Sequence, residues 1–181
     1  MAKTMLILRG NHGSFPDEAG KTHDYKWGAL HEKAAKDYAT LRGYDGVVLD
    51  ISGDPAAKKK GDDKRPNRSQ SPQTILALKR FREDSDIVAL YGFSGGGYNV
   101  WWMLQALKSD KAALTRLERI VVLGAPDQPE AEYKAAKYGD AAHWDLDYKT
   151  NPPGSDKVVP KGLDSHMFGP EWLLEESQKK I

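Results

Sequence analysis

Apolar residues fall along this chain in short bursts of two kinds, and the two kinds alternate. Largely apolar runs at 4–8, 47–51, 87–91 and 120–123 are four or five residues long and rich in Val, Ile and Leu. Runs of that length and make-up predict strands buried on both faces. Between them lie stretches with helical spacing. The first covers 26–41 and ends at Gly43. The second opens at Ser71-Pro72, with proline at the first helical position and Ile75, Leu76 and Phe81 on its apolar side. A third leaves the turn at Ser94, carries Val100, Leu104 and Leu107 inward, and resumes before Arg119. A short helix over 131–137 precedes a fifth strand over 143–148. The last helix opens at Gly169-Pro170 and carries Trp172, Leu173 and Leu174. Residues 52–71 are polar and rich in charge and predict a long exposed loop, or a lid over a site.

Strands that alternate with helices predict an α/β fold: a doubly wound, mostly parallel sheet of about five strands with helices on both faces. In such sheets ligands bind beyond the carboxyl ends of the strands, where strand order reverses. The first and third strands are expected to flank that point. Their ends carry Gly10-Asn11-His12-Gly13 and Ser94, so the two loops should meet.

Composition narrows the classes. At 181 residues, 39% hydrophobic and 29% charged, the chain is long enough for one domain over 1–181 with a sizeable core. A net charge of +1 gives no footprint for nucleic acid. The run Lys58-Lys59-Lys60 is followed by Asp62 and Asp63 and reads as a solvated loop. With no cysteine, neither disulfides nor thiolate metal sites are available, which fits a reducing compartment. The apolar run at 1–9 is too short for a secretory signal, and no stretch of about 18 apolar residues predicts a membrane span. The expectation is a soluble, cytoplasmic protein.

The candidate chemistry lies at Gly92-Phe93-Ser94-Gly95-Gly96, between a predicted strand and a predicted helix. A serine hydroxyl is a useful nucleophile only with a base in reach and donors for the oxyanion that forms on the attacked carbonyl. A tight strand-to-helix corner serves both needs by projecting Ser94 above the sheet edge. Gly92 and Gly96 remove side chains that would collide at the crossing. Gly95 offers its N–H at the start of the helix, where the dipole favours negative charge. Composition alone produces a G-x-S-x-G in about one such chain in eleven, and the flanking strand and helix make chance several times rarer. The plain alternative is a glycine-rich turn without chemistry. A phosphate cradle fits poorly, because Ser94 stands where a dinucleotide loop needs glycine and Tyr98, not lysine, follows Gly97.

The chain resembles a small α/β-hydrolase over nearly its whole length. The matching features are the glycine-flanked Ser94, the Gly10-Asn11-His12-Gly13 loop, Asp156-Lys157-Val158-Val159-Pro160, and His166 ahead of the final helix. It departs by lacking the N-terminal antiparallel strands and cap domain of larger members. The family orders its triad as serine, acid, histidine. By that resemblance His166 is the base and Asp156 the acid, with Asp145, Asp147 and Asp127 as alternatives; Asp164 is too near His166 in sequence. His23 and His31 read as solvated, His143 as a core or edge residue, and His12 as structural or lining the oxyanion pocket. The oxyanion donors are the N–H groups of Gly95 and Asn11, with His12 as alternative to the second. Trp101 and Trp102 read as core, and Tyr98 as within reach of the pocket. The implied activity is hydrolysis of carboxylic esters through an acyl-enzyme, with no metal or organic cofactor. Without a cap the pocket should be shallow, which favours small soluble esters or exposed acyl groups. The competing expectation is a non-catalytic α/β domain that binds or docks; a nucleotide-binding module is a third.

Overall fold

A computed structural model of the chain describes residues 2–10, 13–16, 22–25, 28–50, 72–123 and 169–179. Among these, β1 (Thr4–Leu8), β4 (Asp45–Val48), β5 (Ile87–Phe93) and β6 (Arg119–Leu123) form a parallel sheet. Its spatial order is β4-β1-β5-β6. The chain therefore leaves β1 to one side and returns on the other, which puts the reversal between the carboxyl ends of β1 and β5. The five described helices are α1 (Ala29–Leu41), α2 (Pro72–Glu83), α3 (Gly95–Ala106), α4 (Lys111–Arg116) and α5 (Gly169–Lys179).

Each sheet face has its own core. Met5, Ile7, Ala89, Tyr91, Phe93, Val121 and Leu123 pack with Tyr38 of α1 and Leu173 of α5. Leu6, Leu8, Leu90, Ile120 and Val122 pack on the opposite face with Phe81 of α2, Val100 and Leu104 of α3, and Leu114 of α4. Alternation along each strand assigns the faces, except at the start of β5. There Thr4 pairs with Ile87 while Met5 pairs with Ala89, so one residue is unmatched. The bulge lets Ile87 join the same core as Leu90 although they are three positions apart.

Several boundaries differ from the sequence reading, each for a local reason. The second sheet strand covers Asp45–Val48 rather than 47–51, because it pairs in register with Thr4 to Ile7 and β1 is only five residues long. Pairing, not apolarity, brings Asp45 and Gly46 into the ladder. The first helix starts at Ala29, not 26: Gly28 is extended (φ −119°, ψ −176°), and its N–H is accepted by His31 Nδ1 at 3.3 Å. Its end is as expected. Gly43 takes φ 83°, its N–H bonds Thr40 O at 3.0 Å, and Tyr44 N–H bonds Ala39 O at 2.9 Å. That pair of bonds closes the helix in a Schellman motif. The strand entering the Ser94 turn runs on to Phe93.

Ile75 does not face the core as its spacing suggested. It is 47% exposed, and the inward positions of the first turn belong to Gln73 and Thr74. An antiparallel hairpin, β2 (Gly13–Pro16) with β3 (Thr22–Tyr25), fills a segment that the sequence left unassigned. The expected fifth strand over 143–148, the helix over 131–137 and the loop over 52–71 lie outside the described residues. No helix among the described residues is long and apolar enough to cross a membrane.

Candidate functional site

The turn from β5 into α3 holds Ser94 at φ 53°, ψ −118°. Among the described residues Ser94 is the one non-glycine with positive φ. These angles are those of the first central position of a type II′ turn, which glycine normally fills. The conformation is held from both sides. Ser94 N–H donates to Leu123 O at the end of β6 (2.8 Å), and Gly97 N–H donates to Ser94 O (2.9 Å). A Cβ on Gly92 would lie 2.4 Å from Gly96 O, and one on Gly96 would lie 2.2 Å from Leu8 O at the end of β1. Helix α3 thus rests directly on the last carbonyls of β1 and on the backbone of β5.

Two chemical consequences follow. Serine at a helix N-cap ordinarily turns its hydroxyl back onto its own helix, but Ser94 makes no such cap. Its own N–H is committed to Leu123 O, so an oxyanion beside it must be held by other donors. Gly95 is the first residue of α3 and is buried at the positive end of that helix.

The β1 side of the site is fixed by side chains that sequence reading missed. Gln73 Nε2 donates to Arg9 O at 3.0 Å and to Asn99 Oδ1 at 2.7 Å, and Asn99 Nδ2 donates to Thr74 Oγ1 at 2.8 Å. A carbonyl only accepts, so Arg9 sets the orientation of the Gln73 amide, which in turn sets that of Asn99. All three side chains are buried: Gln73 is 6%, Thr74 1% and Asn99 2% exposed.

On the opposite face, the His31 ring stacks on Phe93 with centroids 5.9 Å apart and planes at 17°. His31 is therefore half-buried against the residue preceding Ser94, a correction to its expected solvated position. An imidazole that accepts at Nδ1 carries its proton on Nε2. Tyr98 and Trp101 are half-buried against the core shared by α2 and α3, and Trp102 is half-buried as well.

Asn11, His12, Asp127, His143, Asp145, Asp147, Asp156, Asp164 and His166 lie outside the described residues; of His23 only its place in β3 is described. The described residues contain no group of three or more metal-ligating side chains. Two described groups titrate away from their ordinary values, and both belong to the amino edge of the sheet, opposite Ser94. Lys3 is raised by its hydrogen bond to Glu118, and Arg42 is lowered by burial and by the nearby Arg119. The arrangement around Ser94 can present a hydroxyl at a sheet edge beside a helix start. No family model matches the chain, and neither a curated protein nor a solved structure does.

Proposed function

We propose that the chain is a serine hydrolase of the α/β-hydrolase type, with a sheet of about five strands, acting on carboxylic esters by acyl transfer to Ser94. The observation that carries this reading is the backbone of Ser94. A non-glycine residue is kept at φ 53° on a strand-to-helix corner whose two flanking glycines admit no Cβ. Such strain persists where the surroundings over-determine it, and it concentrates at functional sites.

In the proposed reaction His166, oriented by Asp156, takes the Ser94 proton as the hydroxyl oxygen attacks the ester carbonyl. The oxyanion rests on the N–H groups of Gly95 and Asn11. Collapse expels the alcohol, which receives the proton from His166. Water activated by His166 then attacks the acyl-enzyme, releasing the carboxylic acid and restoring Ser94. Thioesters and activated amides suit the same machinery. The substrate is a small ester or an acyl group exposed on a larger molecule. The setting is cytoplasmic, and no cofactor takes part.

The test is covalent labelling with a fluorophosphonate. Wild-type protein should be labelled once per chain and Ser94→Ala not at all. Native protein that does not react overturns the reading and leaves a binding or docking domain in its place. For the acid, Asp156→Asn should lose about ten-thousandfold in kcat, while Asp145→Asn, Asp147→Asn and Asp127→Asn retain rates near wild type. A full-rate Asp156→Asn enzyme moves the acid to another of the four.

A further inference from the structure

The buried chain of amides that joins Arg9, Gln73, Asn99 and Thr74 ties three separate elements together at the point where the proposed site is assembled. Gln73 and Thr74 belong to the first turn of α2, Asn99 to the second turn of α3, and Arg9 to the segment leaving β1. Both hydrogens of Gln73 Nε2 are used, one on Arg9 O and one on Asn99 Oδ1. Asn99 is five residues beyond Ser94, on the helix whose Gly96 touches the Leu8 and Arg9 carbonyls. Helix α2 therefore grips both members of the closest contact in the site from the side.

We propose that Gln73 is a positioning residue: it holds the end of β1, and with it the segment leading to Asn11, in register with the Ser94 corner. The assignment of a catalytic role to that register rests on the serine hydrolase reading. An oxyanion hole made from two chain segments works only if both donors stay within a fraction of an ångström of the developing charge. One donor is on α3 and the other follows β1. The Gln73 side chain bonds both α3 and the segment leaving β1. Thr74 Oγ1 extends the network by accepting from Asn99 Nδ2.

The test compares Gln73→Met, which keeps length and apolar volume but removes both donors, with Thr74→Val, which keeps the Gln73 bonds and removes the Thr74 Oγ1 acceptor of Asn99 Nδ2. Two readouts are taken on the full chain: the limiting rate and half-saturation of fluorophosphonate labelling, and amide hydrogen exchange along the backbone. Gln73→Met should lower the limiting rate about ten- to a hundredfold with half-saturation unchanged, and exchange should quicken over residues 8–10 and 94–99. Thr74→Val should quicken exchange over 94–99 but not over 8–10, with a smaller loss of rate. Wild-type exchange and labelling in Gln73→Met overturn the proposal, as does a uniform rise in exchange over the whole chain, which marks lost stability alone. Localised exchange changes in a protein whose wild type never labels would remove the hydrolase reading and leave the holding role of Gln73 standing.

Discussion

Ser94 occupies a backbone region that costs a side-chain-bearing residue about 1–3 kcal/mol. Glycine would adopt the same angles without strain. Ser94→Gly is expected to raise stability by about 1 kcal/mol in urea unfolding, after the entropic cost of glycine is subtracted, while abolishing labelling. A Ser94→Gly protein less stable than wild type would show that the hydroxyl, not the chemistry, secures the turn. Gly96→Ala should behave oppositely, because its Cβ would sit 2.2 Å from Leu8 O. The expected loss is about 3 kcal/mol. These residues were legible in the sequence because the constraint is local: strand, turn and helix within a few positions demand small residues at fixed spacing. Gln73, Asn99 and His31 were not, since their partners are 64, 26 and 62 positions away or set by where a helix lands.

At the scale of elements, the ends are decided by single groups. Asp110 caps α4 by accepting the Ala113 N–H at 3.0 Å, so Asp110→Ala should cost about 1 kcal/mol, read from the urea midpoint at constant slope. The strands were legible as apolar runs, and Gly43 and Pro72 marked where one helix stops and another begins. The hairpin of β2 and β3 was not, because Gly-Ser-Phe-Pro and Thr-His-Asp-Tyr show no two-residue apolar alternation. The two strands pair antiparallel, from Gly13 with Tyr25 to Pro16 with Thr22. Likewise the inward turn of α2 failed to follow its apolar spacing: the half-buried carbonyl of Arg9 takes a donor from the buried Gln73, while Ile75 turns outward.

For the molecule as a whole, one sheet serves two cores, with Tyr38 filling one face and Phe81 the other. Every interior strand is shared between them. Tyr38→Ala and Phe81→Ala should each cost about 3–5 kcal/mol, and each should shift one common transition followed by far-ultraviolet ellipticity and by tryptophan fluorescence. Separate transitions would mean that the faces fold independently. The α/β class was readable from the alternation of elements, and so was the reversal beside β1, since two neighbours for the first strand is what that connectivity favours. The bulge that swaps faces at the start of β5 was not readable, because it arises only when β5 meets β1.

The bare backbone contact between α3 and the end of β1 has a consequence for heat inactivation. The backbone of Gly96 meets the Leu8 carbonyl directly, and Gln73 braces the same junction from the side, so the Ser94 corner is expected to hold until the sheet itself comes apart. Reactivity toward the phosphonate should hold its room-temperature level, corrected for ordinary thermal acceleration, up to the melting point and vanish with it. On the proposed hydrolase reading, activity would fail abruptly, without a warm, sluggish phase.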